Sequence, residues 1–501
     1  MNKELLLAPI LLGGLIPTTS FSQNKDKRPN IILFMVDDMG WQDTSVPFWD
    51  KKTYLNERYR TPNMEKLAEK GLLFTQAYAS SISSPTRCSL ISGMNAARHR
   101  VTNWTLEKNK TTDGKSKTLK FPDWNYNGLA QVEGTPNTYV IKSFVDILRN
   151  SGYHTIHCGK AHFGAIDTPG ENPIHFGFEV NIAGFAAGGP ASYLSEENFG
   201  NRTDGQKSSL FAIPGLMQYW QSGTFLTEAL TIEAIKALDK ARAYNQPFFL
   251  YMSHYAVHVP MMADKRFYQK YKDAGLPEEE ARYASMVEGM DKSLGDLMNW
   301  LEQTGEDKNT VIIFMSDNGG LSAEGRGGEK HTHNYPLNSG KGSAYEGGIR
   351  EPMIVYWPNV TPQGKRTDEK VIIEDFFPTI LDIAQVKNYK TPQKIDGISF
   401  MPLLQGKTQK WRFDRPLFWN FPNLWGASGP GIGPSCTIRQ GDYKLIYYYE
   451  DGHTELFNIA KDISEKNNLS ASMPKKVKEL KTKLFKYLKD VDAQMPTHIK
   501  N

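Results

Sequence analysis

Cysteine is scarce in this sequence, which has three among 501 residues: Cys88, Cys158 and Cys436. An odd, low number excludes a framework of disulfide bonds, and we expect Cys88 and Cys158 to be buried packing residues. Charge of one sign is also scarce. The net charge of +4 over the whole chain gives no general reason to expect a nucleic acid or a membrane surface as a partner.

Long hydrophobic runs are few, and the one at the N-terminus is too short to cross a membrane, which takes about 20 apolar residues. This run covers residues 5–16, follows Lys3 and precedes Pro17 and a small-residue pattern. The arrangement is typical of a signal peptide, residues 1–22, cleaved before Gln23. No cysteine lies near the cleavage point, so we expect an exported protein, periplasmic or secreted, without a membrane anchor.

The composition is that of an ordinary globular protein, with 39% hydrophobic and 23% charged residues. The chain is too long for one core of usual size, so two domains are expected. Short apolar runs predict buried strands, and longer stretches with helical periodicity lie between them. This alternation predicts an α/β fold with a largely parallel central sheet. The predicted strands are residues 30–36, 247–252 and 310–315, and the predicted helices are residues 63–71, 139–152 and 277–305.

The pattern changes after about residue 405. Residues 439–457 predict a β-hairpin with its turn at Asp451-Gly452, and the chain closes with an amphipathic helix near residues 477–491. Seven lysines between Lys475 and Lys489 favour a solvated helix face over a polyanion-binding surface. We therefore predict a catalytic domain at 24–405 and a C-terminal α+β subdomain at 406–501, with a small antiparallel sheet and a helix.

Two pairs of oxygen-bearing side chains follow predicted strands. Asp37 and Asp38 come directly after one strand, and Asp317 and Asn318 closely follow another. Ligands of open α/β sheets bind outside the carboxyl ends of the strands. Four oxygen donors without a thiol or an imidazole predict a hard-cation site, with Ca²⁺ preferred over zinc.

Residues 83–93 read Ser-Ser-Pro-Thr-Arg-Cys-Ser-Leu-Ile-Ser-Gly. This segment resembles the signature of the formylglycine-dependent sulfatases: Cys or Ser, any residue, Pro, any residue, Arg, four residues, Ser or Thr, Gly. Further segments are similar to the family's other motifs, in the same order and spacing. They are Gly-Lys-Ala-His-Phe-Gly at 159–164, Ala-Val-His-Val-Pro at 256–260, Ser-Asp-Asn-Gly at 316–319 and the block 340–352.

The resemblance implies an alkaline-phosphatase-like sandwich with a large mixed, mostly parallel central sheet. It also implies that Ser83 is oxidised to formylglycine (3-oxoalanine) by a sulfatase-maturing enzyme, and that residue 83 joins the four oxygen donors as a ligand of Ca²⁺. The implied reaction is hydrolysis of sulfate monoesters. Family membership together with export suggests a sulfated carbohydrate or glycosaminoglycan as substrate.

The resemblance also assigns roles to five further side chains. Lys160, Lys341 and His258 would supply positive charge and hydrogen-bond donors at the sulfate group. His258 is the first candidate for the general acid and Lys341 the second. His162 would deprotonate the second hydroxyl of the formylglycine hydrate, and Arg87 would hold the modified residue.

Alternatives remain open at this stage. A phosphomonoester or phosphonate hydrolase of the same superfamily would need a second metal with histidine ligands. A protein that only binds sulfoglycans would result if Ser83 were never oxidised. His331 and His333 resemble a metal pair, but a substrate-facing loop is the functional alternative. Six aromatic residues either form a sugar platform or pack the two domains together, and packing is slightly favoured: Trp104, Trp124, Phe418, Trp419, Phe421 and Trp425.

Overall fold

The computed structural model describes residues 26–407 and 414–499; the predicted signal peptide lies outside them. The described residues form seventeen strands, nine of them in one large sheet. The strands are β1 (Asn30–Val36), β2 (Leu72–Tyr78), β3 (Leu119–Lys120), β4 (Gly128–Ala130), β5 (Thr138–Val140), β6 (His154–Gly159), β7 (Val180–Ile182), β8 (Phe248–Ser253), β9 (Thr310–Ser316), β10 (Arg350–Tyr356), β11 (Lys365–Thr367), β12 (Val371–Ile372), β13 (Leu417–Phe421), β14 (Ser435–Gln440), β15 (Tyr443–Tyr448), β16 (Thr454–Asn458) and β17 (Thr497–His498).

Twelve α-helices lie between these strands in the described ranges. The longest, α8, buries a stripe of methionine and leucine side chains at helical spacing. The helices are α1 (Tyr54–Arg58), α2 (Pro62–Lys70), α3 (Ser83–Ser92), α4 (Ala96–His99), α5 (Phe144–Asn150), α6 (Leu226–Arg242), α7 (Tyr268–Asp273), α8 (Glu278–Thr304), α9 (Glu346–Ile349), α10 (Phe376–Ile383), α11 (Met401–Leu404) and α12 (Pro474–Asp490).

The large sheet has the strand order β11-β2-β10-β9-β1-β8-β6-β7, with β12 also paired to β2. Strand β10 runs antiparallel to its neighbours β9 and β2, and the other pairings in this sheet are parallel. Strand β1 pairs in register with β9, from Asn30 opposite Thr310 to Val36 opposite Ser316. The carboxyl ends of these central strands therefore meet at one edge, and the predicted mostly parallel sheet is confirmed.

Helices cover both faces of the large sheet, because successive side chains of a buried strand point to opposite sides. Ile32 and Phe34 of β1 pack in one core with α2, α6 and α8. Ile31 and Leu33 pack in a second core with α3, α5 and α10. Cys88 and Cys158 are fully buried in these cores, as predicted. The result is a three-layer α/β arrangement, which agrees with the sandwich implied by the family resemblance.

A separate antiparallel sheet, β13-β14-β15-β16, follows the large one. Helix α12 packs on this sheet through Leu480, Leu484 and Leu488, while most of its lysines face solvent. The predicted small sheet with a C-terminal helix is confirmed. The position of the boundary, residues 405/406, stays a prediction.

Two predicted elements have different bounds. The helix expected at 139–152 begins at Phe144, because residues 138–140 instead form β5 beside β4, and the Ser143 side chain caps the helix. The first strand of the expected hairpin is broken at Gly441 and Asp442, so residues 439–440 end β14 and residues 443–448 form β15. The turn at Asp451-Gly452 is confirmed.

Candidate active site

The predicted cation ligands meet at the carboxyl edge of the large sheet. Asp37 and Asp38 follow β1, and Asp317 and Asn318 follow β9, which is its in-register neighbour. Carboxylate oxygens of the three aspartates lie within 4.8 Å of one another, and all three side chains are buried. Asn318 Nδ2 donates a hydrogen bond of 2.7 Å to Asp38 Oδ1. The sequence thus brings four oxygen-bearing side chains to one point.

Ser83 is the first residue of α3, and the whole of this helix is buried. The Ser83 hydroxyl lies 3.1 Å from Asn318 Oδ1 and 3.3 Å from Asp37 Oδ1. The N-terminus of a helix carries a partial positive charge and unpaired N–H groups, so this position favours a negatively charged oxygen. Residue 83 therefore lies directly beside the three carboxylates.

Two lysines approach this cluster from different loops. Lys160, which follows β6, donates hydrogen bonds to Asp37 Oδ2 (2.7 Å) and to the Ser83 hydroxyl (2.8 Å). Lys341 lies 2.8 Å from Asp38 Oδ1. Both side chains are buried, so their charges act in a medium of low dielectric constant.

Arg87 lies one turn after Ser83 on α3 and is fully buried. Its guanidinium donates to Asp317 Oδ2 (2.9 Å) and to Ser253 Oγ (2.6 Å). It also contacts the Lys160 carbonyl oxygen. Arg87 therefore fixes one carboxylate of the cluster and the loop that carries Lys160, and its hydrogen bonds go to these groups rather than to Ser83.

His162 has a defined tautomer. Its Nε2 lies 2.9 Å from the Thr105 carbonyl oxygen, which can only accept, so the proton is on Nε2. Nδ1 is buried and has no hydrogen-bond partner in the described part of the chain. Burial and the nearby Lys160 lower the pKa of His162 well below its ordinary value. The imidazole is therefore neutral, with one nitrogen free to accept a proton.

His258 hydrogen-bonds to the backbone through the other ring nitrogen from the one that His162 uses. Its Nδ1 donates to the Val259 carbonyl oxygen (2.8 Å), so Nε2 faces Asp38 Oδ2 at 3.7 Å. Burial and Lys341 lower the pKa of His258 to about 3, although Asp38 acts in the other direction. Nε2 is therefore the nitrogen that can exchange a proton with a ligand in the cleft.

The carboxylates of the cluster differ in their proton affinity. Burial and the neighbouring Asp317 raise the pKa of Asp37 well above its ordinary value. Burial also acts to raise the pKa of Asp38, but Lys341 and His258 outweigh it and hold that pKa below its ordinary value. The crowding of like charge at Asp37 is what a bound cation relieves.

A cleft of about 380 Å³ opens above this cluster. Ser83, His162, His258 and Lys341 line its floor together with Asp38. Gly188 and Gly189 form part of its wall, and a Cβ atom at Gly188 would lie 2.4 Å from the His162 ring. The site is therefore open to a ligand on one side.

The six predicted aromatic residues divide into two groups. Trp104 and Trp425 line the cleft. The other four lie elsewhere: Trp419 Nε1 donates to the Ala79 carbonyl oxygen, and Phe418 stacks on Tyr487 at 3.8 Å. Trp124 is 2% exposed. The platform hypothesis thus stays open for Trp104 and Trp425, and among the other four Trp419 packs the two predicted domains together.

His331 and His333 do not converge on a metal site among the described residues. The buried His333 contacts Arg326 and the Leu321 carbonyl oxygen, and His331 packs against Gly429. The Gly188-Gly189 pair and the Thr105 carbonyl group were not predicted from the sequence. The sequence does contain a signal for the glycines: they are adjacent in a loop rich in small residues, which allows the backbone to lie close to the imidazole rings.

The fold and the site define a hydrolase of the alkaline-phosphatase-like α/β class. A sequence profile of the sulfatase family matches residues 29–386. A second profile, that of the C-terminal part of N-sulphoglucosamine sulphohydrolase, matches residues 340–494. The chain belongs to the sulfatase family and is a sulfuric ester hydrolase.

Individual relatives agree with this assignment. A sulfatase of Formosa agariphila is 30% identical, over 94% of this chain and 90% of that protein. The N-acetylgalactosamine-6-sulfatase of Rattus norvegicus is 28% identical, over 93% of this chain and 85% of that protein. The solved structure of Ps i-CgsB in complex with k-i-k-neocarrahexaose has a TM-score of 0.73 and 27% identity, covering 92% of this chain and 93% of that one.

Proposed function

We propose that this protein removes O-sulfate from a sulfated carbohydrate, with a formylglycine derived from Ser83 as the nucleophile and Ca²⁺ as the metal. The observation that carries the proposal is the position of the Ser83 hydroxyl. It lies at a helix N-terminus, 2.8 Å from Lys160 Nζ and beside three clustered carboxylates. An ordinary structural serine has no need of this set of neighbours.

The donor set fits a calcium ion. Calcium takes six to eight oxygen ligands, mainly carboxylate and amide oxygens. Asp37, Asp38, Asp317 and Asn318 would hold it, with residue 83 as a further ligand. The ion would supply positive charge that stabilises the anionic sulfate ester during attack and acidifies the attacking hydroxyl. The three aspartates are matched by Lys160, Lys341 and Arg87, so a bound dication leaves the site positive and suited to an anion.

A plain serine hydroxyl is a weak nucleophile. A hydrated aldehyde at position 83 would supply two hydroxyls, one for attack on sulfur and one whose deprotonation releases sulfate. Lys160 Nζ is within hydrogen-bond distance of the side chain of residue 83 and can orient it. A sulfatase-maturing enzyme would have to oxidise Ser83 before the protein works.

The two histidines divide the proton transfers. His258 Nε2 faces the cleft, and the negative charge of a bound sulfate ester raises its proton affinity, so it can protonate the leaving alcohol. Lys341 is the second candidate for this role. His162 Nδ1 is unpaired and carries no proton, which supports its role as the base that triggers sulfate release. Arg87 would position residue 83 indirectly, because it holds the Lys160 carbonyl oxygen and Lys160 Nζ contacts the Ser83 hydroxyl.

The relatives, the lining of the cleft and the predicted export support a carbohydrate as substrate. Ps i-CgsB was solved with a neocarrahexaose, and a second relative is an N-acetylgalactosamine-6-sulfatase. Trp104 and Trp425 give this chain aromatic surfaces at the cleft, which suit the face of a sugar ring. Export to the periplasm or beyond, predicted from residues 1–22, fits a sugar polymer met outside the cell.

The phosphoester alternative has less support. The described residues contain one cluster of three metal-binding side chains, and it has no histidine. A two-metal phosphoester hydrolase would need a second cluster. The alternative of a protein that only binds sulfoglycans does not explain a neutral His162 with a free nitrogen at the same cleft.

Sulfate release from a panel of sulfated mono- and oligosaccharides tests the proposal. The protein is produced together with a serine-type maturing enzyme and assayed with calcium, beside phosphate esters of the same alcohols. We expect sulfate release and at most weak phosphate release. Faster release of phosphate would favour the phosphoester alternative. Binding without turnover by protein whose residue 83 is fully converted would favour the binding protein.

A further inference from the structure

The cleft is chemically divided into a floor and an outer part. The floor carries the charged groups already described. The outer wall is apolar and aromatic, with Trp104, Phe211 and Trp425 among its larger side chains. One further charged side chain lies on this wall: Glu324, which is exposed at the rim.

Positive charge is missing from the outer wall. Among the described residues that line the cleft, Lys341 is the one lysine or arginine, and its ammonium group is bound to Asp38 at 2.8 Å. Arg326 follows Glu324 by two residues but points elsewhere. Its guanidinium is buried 3.6 Å from the centre of the Tyr283 ring and 3.6 Å from Asp43.

Trp425 is held firmly in this wall. A Cβ atom at Gly342 would lie 2.3 Å from the Trp425 ring, so the indole packs directly on the backbone next to Lys341. The loop after Trp425 is tied to the same segment, because Ser343 Oγ donates to the Pro430 carbonyl oxygen and Ala344 N donates to that of Gly431. The outer wall is therefore a preformed surface.

The side chains of the outer wall determine which leaving groups, the alcohols released from the sulfate ester, can bind there. Aromatic faces accommodate the C–H faces of a sugar ring, and a carboxylate accepts hydrogen bonds from its hydroxyls. A second sulfate or a uronate carboxylate at this wall would meet the negative Glu324 without a lysine or arginine among the lining residues there to pair with it. Like charges that approach closely at a partly exposed site repel measurably.

We propose that Glu324, on a wall formed by Trp104 and Trp425, makes this enzyme select a sulfate ester whose sugar carries no second anionic group beside the scissile one. Glu324 is thus a specificity residue rather than a catalytic one. This inference rests on the proposed function and narrows its substrate to neutral, singly sulfated sugar units at the cleft.

The test uses matched pairs of ligands: a series of hexose monosulfates, each beside the same hexose with a second sulfate. For mature enzyme we compare kcat/KM within each pair. For protein with unconverted Ser83 and calcium we compare Kd by calorimetry, which needs no turnover. The wild-type protein is expected to favour the best monosulfate over its disulfated partner by about tenfold or more.

Glu324→Gln should reduce this preference several-fold, and Glu324→Lys should reduce it further or reverse it. Glu324→Gln should change kcat/KM for a small aryl sulfate, which carries one anionic group, much less than it changes kcat/KM for the disulfated hexoses. Glu329→Gln is the matched control, because Glu329 is an exposed carboxylate of the same loop that does not line the cleft. The wild-type preference should also shrink with added salt, as expected for an electrostatic cause.

Equal kcat/KM and Kd for both members of every pair, or an unchanged preference in both Glu324 variants, would overturn the inference. Those results come from an enzyme that still releases sulfate. Failure of the proposed function looks different: no sulfate would be released from any substrate, including the aryl sulfate, by protein whose residue 83 is converted.

Discussion

Two clusters of buried charge in this protein differ in their arrangement. The first is called the catalytic cluster after its role in the proposed function, and it consists of Asp37, Asp38, Asp317, Arg87, Lys160 and Lys341. The junction cluster lies between the large and the small sheet and consists of Glu346, Glu465, Arg350, Arg439 and Lys444. Both contain acids and bases, so buried charge by itself does not identify an active site.

The catalytic cluster and the junction cluster differ in how their charges are arranged. In the junction cluster Glu346 is surrounded by cations: Arg350 and Arg439 lie 3.3 Å from one oxygen and Lys444 lies 3.2 Å from the other. In the catalytic cluster three carboxylates crowd together within 4.8 Å. Asp38 and Lys341 also line an open cleft. Like charges gathered at a cleft indicate a site that can hold a cation and a ligand, whereas alternating charges indicate a structural link.

The largest expected effect comes from the catalytic cluster. Asp38→Asn should lower kcat/KM by roughly 10³-fold or more, because it removes a carboxylate of the proposed calcium site and the partner of Lys341. It should also abolish the rise in melting temperature that calcium gives to the wild-type protein. Thermal melts with and without a chelator, beside steady-state kinetics, measure both. Wild-type activity that survives exhaustive chelation would contradict the metal assignment.

Glu346→Gln is the corresponding test of the junction cluster, because it removes the charge of one buried carboxylate there. Removing this charge leaves Arg350, Arg439 and Lys444 buried without their common partner, which costs about 3 kcal/mol or more of stability. Denaturant unfolding measures this loss. Turnover per folded molecule and the calcium response should stay close to wild type. A loss of the calcium response would mean that the two clusters are one functional unit.

A buried acid outside both clusters, Glu374, predicts a dependence of stability on pH. Burial and the adjacent Asp375 raise the pKa of Glu374 to about 7. Between pH 4.5 and 7 the folded protein holds a proton that the unfolded chain has released, so this residue makes stability fall as the pH rises, by at most about 3 kcal/mol. Glu374→Gln, which keeps the shape of the protonated acid, should gain stability relative to wild type between pH 5 and pH 8. A pH-independent difference would show that Glu374 is charged throughout.

The smallest effect concerns the two groups of tryptophans. Trp425→Ala should lower kcat/KM for a sulfated oligosaccharide about tenfold more than for a small aryl sulfate, because it removes a surface of the cleft. Trp419→Ala is the matched control, since Trp419 packs against Tyr78 away from the cleft. It should lower stability and affect both substrates alike. Equal losses of kcat/KM for the two substrates in Trp425→Ala would show that Trp425 has a packing role.

The sequence predicted the large sheet and the meeting point of its polar residues well, for a physical reason. Continuous apolar runs such as residues 30–36 have one stable environment, a strand buried on both faces, and parallel strands bring their carboxyl ends together. Asp37 and Asp317 therefore had to lie at one edge. Ser83, Lys160 and His258 were found through motif resemblance, because nothing in their local pattern places them beside these carboxylates.

Other features depend on contacts that no local pattern shows. Residues 138–140 form β5 because β4 lies beside them, so the helix predicted from residue 139 begins later. The aromatic residues could not be sorted, because Trp419 and Trp425 lie six residues apart and only the folded loop sends one into the core and the other to the cleft. Tertiary packing decided both cases.

The mass of residue 83, measured together with turnover, tests the central proposal most directly. Protein made with a serine-competent maturing enzyme should carry residue 83 lighter by two hydrogens and should hydrolyse sulfate esters. Protein made without that enzyme should keep the serine mass, bind substrate and fail to turn over, and Ser83→Cys should recover activity in a host that matures only cysteine. Full turnover by protein whose residue 83 is shown by mass spectrometry to be ordinary serine would contradict the account.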